Sequence, residues 1–255
     1  MIFRLLFVLL LLQFPSFISA QDIEDDPEAR KIFEEVDRRR DMINSEKADM
    51  RMVIFDSRGN TRERNLQSFS MNEGDISKSL LIFESPANVR GTAFLSISEG
   101  SDEVQKLYLP ALGQIQIISA AEKGDRFMGS DFTYEDLGDQ DPEDYEFELR
   151  SKSDTSYVLK AEKTESSEYN YLLFYIDPER YVLQKIEYFN DEEKMIKRLE
   201  ASGYTEVINE VWQPGKMVMY DLRNNRKTEL SWSGRNVNAS IPGWRFTERG
   251  LRRGL

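Results

Sequence analysis

The chain of 255 residues contains neither histidine nor cysteine, and this restricts the chemistry that it can perform. A Ser-His-Asp triad, a Cys-His pair and a zinc or iron site with histidine ligands all need residues that are missing here. A disulfide framework and a lipid-modified cysteine are excluded for the same reason. Carboxylate chemistry, lysine or tyrosine chemistry and a cation held by oxygen ligands remain open.

The 46 acidic residues are the first candidates for that remaining chemistry. Asp139, Asp141, Glu143 and Asp144 offer oxygen ligands for calcium, but they lack the spaced loop of a dedicated site, and a solvated acidic loop is the favoured interpretation. A carboxylate-based hydrolase needs two acids paired across a cleft, and the sequence singles out no such pair. We therefore predict a protein that is not an enzyme, with no catalytic residue, no metal and no cofactor.

The most distinctive residues are apolar and lie in the middle of the chain, in the stretch RFMGSDFTYEDL from Arg126 to Leu137. Its large apolar side chains do not alternate as they would in a strand: Phe127, Met128, Phe132, Tyr134 and Leu137. Gly129 permits an abrupt turn, and Ser130 or Asp131 could cap a short helix. This pattern predicts a flap whose apolar side rests on another part of the protein.

The elements that must position this flap begin with one amphipathic helix. Pro27 is a favoured first helical residue, and Asp26 before it is a favoured cap. Apolar residues then recur at spacings of three and four, and three arginines follow near the end: Ala29, Ile32, Phe33, Val36, then Arg38, Arg39 and Arg40. The spacing predicts a helix of about four turns.

Short runs rich in Val, Ile, Phe and Tyr follow, separated by turn clusters. The first set of predicted strands is 50–55, 66–71, 80–83, 92–97, 104–109 and 115–118. The second set is 145–150, 157–161, 169–176, 181–189, 196–202, 205–212, 217–222 and 229–232. With no helical pattern between neighbouring strands, we predict one large, curved antiparallel sheet.

Several of these strands are apolar on both faces, among them Leu80–Phe83 and Tyr171–Ile176. Such a strand must be covered on both sides, or it must line an apolar cavity on one side. The sequence leaves these two interpretations open.

The N-terminal residues are typical of a secretory signal peptide. Arg4 precedes an apolar run of about ten residues, which Pro15 and the small residues Ser19 and Ala20 follow. We expect residues 1–20 to be removed near Ala20 and residues 21–255 to form a single exported, soluble domain. The net charge of −12 makes nucleic acid an improbable partner.

Two motifs of this sequence match a known family, Tyr108-Leu-Pro-Ala-Leu112 and the Phe127–Leu137 stretch, with weaker similarity at Asp177-Pro178-Glu179, at Glu229–Trp232 and at Phe246-Thr247. In these motifs the sequence resembles the LolA type of periplasmic outer-membrane lipoprotein-sorting proteins. The resemblance extends over roughly Pro27 to Arg249.

The resemblance implies a mainly β fold with few helices: an incomplete, open antiparallel β-barrel of about eleven strands with helices on its concave face. It further implies a periplasmic carrier, present as a monomer, that shields acyl chains of a lipoprotein or other lipid. An inner-membrane exporter and an outer-membrane acceptor would be its partners. An adaptor or structural subunit of an envelope complex is the alternative, and a carboxylate-based hydrolase is a weaker one.

For such a carrier we expect the flap to act as a lid over an apolar cavity. The expected lid residues are Phe127, Met128, Phe132, Tyr134 and Leu137, and the expected lining residues are Leu95, Ile97, Leu107, Leu109, Ile115 and Ile117. Arg90 is a polar candidate that could reach lid carbonyls or a lipid headgroup, although a surface ion pair is the more ordinary role. The four arginines between Arg245 and Arg253 leave a membrane or exporter contact and a frayed terminus both open.

Overall fold

The computed structural model describes residues 24–100 and 102–254, which form two α-helices and fifteen strands. The helices are α1 (Pro27–Asp41) and α2 (Glu248–Arg253). The strands are β1 (Ser45–Phe55), β2 (Thr61–Glu73), β3 (Ile76–Ser85), β4 (Ala93–Glu99), β5 (Asp102–Leu109), β6 (Gln114–Ile117), β7 (Tyr145–Lys152), β8 (Tyr157–Lys163), β9 (Tyr171–Ile176), β10 (Leu183–Phe189), β11 (Met195–Ser202), β12 (Thr205–Ile208), β13 (Val211–Gln213), β14 (Lys216–Asp221) and β15 (Arg226–Val237). The predicted signal peptide lies outside the described residues.

Thirteen of the strands form one antiparallel sheet in the order β6-β5-β4-β3-β2-β1-β15-β14-β11-β10-β9-β8-β7. The N-terminal meander β1–β6 and the C-terminal strands meet where β1 pairs with β15. Strands β6 and β7 remain the two edges, so the sheet is not closed into a barrel. The predicted open, mainly β fold is confirmed, with two more strands in the sheet than the expected eleven or so.

The predicted strand 205–212 is wrong, because the chain reverses inside it. Glu210 adopts a positive φ of 61°, and β12 and β13 on either side form a separate two-stranded hairpin. A turn without glycine or proline gives little sequence signal, since most non-glycine residues avoid positive φ.

Helix α1 begins and packs as its sequence predicts. The Asp26 carboxylate accepts the backbone N–H of Glu28 at 2.8 Å, and Pro27 occupies the first turn. Ala29, Ile32 and Phe33 are buried against one face of the sheet, which we call the inner face. There the Phe33 ring lies 4.9 Å, between centroids, from each of the rings of Phe147 and Phe174.

The opposite, outer face of β2–β6 is covered by the C-terminal residues. Phe246 and Leu251 of this segment are buried in one apolar cluster with Leu80, Ile82 and Leu95. The two helices therefore pack on opposite faces of the sheet, whereas the resemblance placed the helices on one face. Within the described residues, no helix is both long and apolar enough to cross a membrane.

This cover explains why the 80–83 stretch is apolar on both sides. Leu81 and Phe83 point to the inner face, whereas Leu80 and Ile82 point to the outer face under the C-terminal segment. In β9 the outer side chains Tyr171, Leu173 and Tyr175 are only half-buried, and the Tyr171 ring stacks on that of Phe189 at 4.5 Å. Packing on both sides therefore accounts for the 80–83 stretch, whereas the outer side of β9 remains partly exposed.

Candidate ligand-binding site

The predicted flap crosses the inner face and is packed between the two parts of the sheet. We call residues 126–137 the plug segment. Phe127 is fully buried, and its ring lies 5.1 Å from that of Phe94 and 5.8 Å from that of Phe83. Phe132 and Tyr134 are also buried. The plug segment therefore fills the core of the N-terminal meander.

Two aspartates attach the plug segment to the C-terminal strands, and the first is Asp131. Its side chain is fully buried and accepts a hydrogen bond from Thr228 Oγ1 at 2.7 Å and one from Arg226 Nε at 3.0 Å. The Asp131 N–H donates in return to Thr228 Oγ1 at 2.9 Å. Arg226 also donates to the carbonyl of Gly129 at 3.0 Å. These bonds fix the turn of the plug segment on β15.

The second attachment is Asp136, which pairs with the buried Lys197 of β11. The Tyr169 hydroxyl donates to Asp136 at 2.8 Å and accepts from Lys197 Nζ at 2.8 Å. The Thr133 N–H donates to the same carboxylate at 2.7 Å. Burial, together with the nearby Asp136 charge, raises the pKa of Tyr169 well above its ordinary value.

The predicted cap of a helix within this stretch is wrong in detail. The plug segment contains two short 3₁₀ turns, Phe127–Gly129 and Glu135–Leu137, and no longer helix. Thr133, the residue before the N-cap Tyr134, accepts the N–H of Asp136 with its Oγ1 at 3.2 Å. Ser130 and Asp131 instead serve the turn and the attachment to β15.

The predicted lining residues do not share one cavity, because they lie on two faces of the sheet. Phe94 pairs with Leu107, so Leu95 lies opposite Lys106 on the outer face. Leu107 and Leu109 pack against the inner-face core, whereas Leu95, Ile97 and Ile115 pack in the outer-face cluster. Ile117 is 62% exposed. The predicted grouping ignored the register, in which odd residues of β4 share a face with even residues of β5.

Arg90 is not brought to the plug segment either. Its Nε donates to the carbonyl of Glu84 at 2.8 Å, within the connection between β3 and β4, and its side chain is exposed. The structure therefore gives Arg90 a local role in this turn.

An apolar pocket of about 130 Å³ lies on the inner face, between the second half of α1 and the C-terminal strands. Its apolar walls are Phe33, Val36, Tyr181, Val182, Leu183, Tyr204, Val211, Trp212, Pro214 and Met217. Two guanidinium groups lie over aromatic walls, Arg39 at 4.7 Å from the Tyr181 ring centroid and Arg180 at 5.5 Å from that of Trp212. None of these lining residues was predicted from the sequence.

A second, more polar space of about 240 Å³ adjoins this pocket at Arg40 and Gln213, which line both. Its walls include Ser70, Ser79, Ser96 and Ser98 of the N-terminal meander and Leu137 of the plug segment. Leu137 is thus the predicted lid residue that borders this space. We call Asp37, Arg40, Asp41 and Asp139 the pocket mouth.

The pocket mouth concentrates negative charge around one arginine. Arg40 pairs with Asp139 at 2.9 Å and also with Asp37. Burial raises the pKa of Asp37 to about 6, and the neighbouring Asp41 and Asp139 charges add to this shift while Arg40 opposes it. Burial also raises the pKa of Asp41. The described residues group no three acids in a way that could hold a metal ion.

The walls of the apolar pocket come from distant parts of the chain. Val36 is on α1, Tyr181 and Leu183 belong to the β9–β10 connection and β10, and Trp212 belongs to the β12–β13 hairpin. The amphipathic pattern of α1 indicated only that Val36 is on the buried stripe. No local pattern could show that these side chains converge.

The β12–β13 hairpin forms one wall of the pocket. The two chain segments that join it to the sheet approach each other closely at Gly203 and Gly215. Gly215 N–H donates to the carbonyls of Ser202 and Gly203, at 3.1 and 3.0 Å. A Cβ atom on Gly215 would lie 2.9 Å from the Gly203 carbonyl oxygen, so glycine is required there.

Comparison with known proteins places this architecture among solved structures. A family model for an uncharacterized protein matches residues 75–253. A candidate outer membrane lipoprotein-sorting protein domain from Vibrio parahaemolyticus is 28% identical, with a TM-score of 0.85 over 89% of this chain and 99% of that one. No curated protein has a significantly similar sequence.

Two more distant structures share the fold. A DUF1329 family protein from Desulfovibrio piger is 22% identical, with a TM-score of 0.82 over 88% of this chain and 98% of that one. A LolA superfamily protein from Nitrosomonas europaea is 19% identical, with a TM-score of 0.69 over 87% of this chain and 98% of that one.

Proposed function

The chain belongs to the LolA-like family, and on that premise we propose that it is a periplasmic carrier that shields acyl chains of a lipoprotein or another lipid. The observation that supports this most is the apolar pocket between α1 and the inner face of the sheet. Each methylene group transferred from water into such a pocket contributes about 0.8 kcal/mol, so holding a chain needs no covalent step. The proposed role is not enzymatic.

The pocket volume suggests how cargo enters. About 130 Å³ is below the roughly 300 to 1,000 Å³ of typical ligand sites, so an acyl chain needs more room than the closed pocket offers. The β12–β13 hairpin is the wall best suited to give way, because its two strands pair with each other and not with the large sheet. We propose that it moves outward when a chain enters.

The plug segment has a supporting role in this proposal. Leu137 borders the polar space next to the pocket and would contact the ligand there. Phe127, Phe132 and Tyr134 would form the fixed floor behind it, together with Leu107. Cargo identity, an exporter that delivers it and an outer-membrane acceptor belong to the same proposal.

Filling the pocket tests the proposal. Met217→Trp places a larger side chain among the pocket walls and should weaken binding of a fluorescent fatty-acyl probe by about tenfold, since excluding two methylenes removes about 1.6 kcal/mol. The matched control is Met42→Trp, because Met42 is exposed at the end of α1. Equal probe binding by the two folded variants would contradict this pocket as the acyl site.

Mass spectrometry of lipids extracted from the protein, purified from its native envelope, separates the carrier from an adaptor. Wild-type protein should carry lipid, and Met217→Trp should carry less. Absence of lipid from the wild-type protein would favour an adaptor whose apolar pocket receives protein.

A further inference from the structure

The C-terminal segment places basic charge on the outer face of an otherwise acidic protein. Phe246 and Leu251 are buried against β2–β4, so residues 243–253 are packed on the sheet and are not a frayed end. This segment carries Arg245, Arg249, Arg252 and Arg253, and its one acid, Glu248, pairs with Lys106 at 2.8 Å.

These arginines differ from the basic residues on the outer face of the C-terminal strands. There lysines pair with glutamates, as Lys185 does with Glu187 at 2.6 Å and Lys216 with Glu229 at 2.7 Å. By contrast, no carboxylate in residues 24–100 and 102–254 lies within 4.0 Å of the four C-terminal arginines. Arg249, Arg252 and Arg253 are exposed, so their charge is available to a partner. The Arg245 guanidinium is instead partly buried over the Phe69 ring, 4.8 Å from its centroid.

Exposed apolar side chains lie on β5 and β6, which the C-terminal segment partly covers, and in that segment itself. Six large apolar residues are exposed among the described residues, and four of them lie on β5, on β6, in the turn between them or next to α2: Val104, Leu112, Ile117 and Trp244. The guanidinium of Arg253 lies 5.0 Å from the Trp244 ring centroid. Arg252 donates to the carbonyl of Gly113, the residue after Leu112, at 3.0 Å. We call these four apolar residues, together with Arg249, Arg252 and Arg253, the tail surface.

We propose that the tail surface docks on an anionic phospholipid membrane. Arginines attract lipid phosphates, an exposed tryptophan favours the interface between water and lipid, and aliphatic side chains insert among the acyl chains. Charge complementarity carries the choice of partner, because the protein as a whole has a net charge of −12 and an anionic surface would otherwise repel it.

Docking through this face leaves the apolar pocket accessible. The tail surface lies on the outer face of the sheet, whereas the apolar pocket lies on the inner face. A docked protein would thus keep its pocket walls free to move. The docking proposal goes beyond acyl binding and can be tested separately from it.

Vesicle flotation tests the proposal with the form of the protein that begins at Gln21, which contains every described element. Vesicles of equal parts phosphatidylglycerol and phosphatidylcholine should bind the protein, pure phosphatidylcholine vesicles should bind it far less, and added salt should weaken binding. Arg252→Glu with Arg253→Glu should reduce affinity for the anionic vesicles by about tenfold or more. Trp244→Ser should reduce it to a smaller degree.

The control is Arg58→Glu with Arg62→Glu, which makes the same change in net charge at two exposed residues elsewhere. It should bind anionic vesicles nearly as wild type does. Equal loss in the two double variants, or equal binding to both kinds of vesicle, would overturn the proposal. Failure of the wild-type protein to bind would overturn it in favour of an acidic protein partner.

A crossed measurement separates docking from acyl binding. In solution, the Arg252→Glu, Arg253→Glu variant should bind the fatty-acyl probe as wild type does, and Met217→Trp should float with anionic vesicles as wild type does. Circular dichroism confirms that each variant is folded.

Discussion

The plug segment and the pocket mouth both contain shielded aspartates, fully buried in the plug segment but only partly buried at the pocket mouth, and the two regions compensate the charge differently. The Asp131 carboxylate accepts hydrogen bonds from Thr228 and Arg226. Asp136 accepts from Tyr169 and from the Thr133 N–H, and it pairs with the buried Lys197. At the pocket mouth, burial and the neighbouring acids raise the pKa of Asp37, and one cation, Arg40, serves Asp37 and Asp139 together.

The two regions therefore differ in how much the burial of charge costs the folded state. Fully satisfied buried polar groups specify one packing arrangement, whereas incompletely compensated charges cost stability. Natural proteins accept such costs mainly at functional sites. The plug segment therefore behaves as structure, and the pocket mouth as the region where a ligand or a conformational change can be accommodated.

The largest expected effect follows from breaking the buried pair in the plug attachment. Lys197→Met keeps the volume of the side chain but leaves Asp136 without its cation, so the free energy of unfolding should fall by about 3 to 5 kcal/mol. Urea unfolding followed by circular dichroism measures it. Lys194→Met, at an exposed turn residue, is the control and should change stability by less than about 0.5 kcal/mol. A loss below about 1 kcal/mol in Lys197→Met would remove the contrast between the two regions.

A smaller effect is expected from Thr228→Val. This change preserves shape but removes both hydrogen bonds between Thr228 and Asp131, which should lower the free energy of unfolding by about 1 to 3 kcal/mol. Thr61→Val makes the same substitution at an exposed strand residue and should be close to neutral. If the two variants unfold at the same urea concentration, the two hydrogen bonds between Thr228 and Asp131 contribute little to the stability of the fold.

The sequence predicted the elements that local periodicity determines. Helix α1, its Asp26 cap and nearly all of the strands follow from spacing, and the plug segment stood out because its apolar residues fit neither period. The sequence did not predict which side chains contact one another. That Leu95 and Leu107 lie on opposite faces depends on the pairing of Phe94 with Leu107, and register is a tertiary property.

The candidate site was less accessible to sequence reasoning than the fold. The polar residues Asp131 and Asp136 of the 127–137 motif attach the plug segment to the sheet. They bind strands about 60 to 95 residues further along the chain, which the sequence alone does not reveal. The pocket walls carry no motif, because Val36, Tyr181 and Trp212 meet only after the sheet has formed.

The smallest effect should come from the pocket mouth, and its sign depends on pH. A carboxyl whose pKa rises from 3.8 to about 6 on folding is favoured in its neutral form, so the folded state loses stability as pH rises from 3.8 through about 6. Asp37→Asn removes that ionisation. Above pH 6 the variant should be more stable than wild type by about 1 kcal/mol, which allows for partial solvent exposure and for the lost attraction of Arg40.

Below pH 3.8 the two proteins should have the same stability, because a neutral aspartic acid resembles asparagine. Urea unfolding on both sides of this pH range measures the difference, and Asp154→Asn, in an exposed turn, controls for the loss of one negative charge. An Asp37→Asn variant that is less stable than wild type at neutral pH would mean that Arg40 fully compensates Asp37. The pocket mouth would then resemble the plug segment, and the two regions would not differ in how they hold charge.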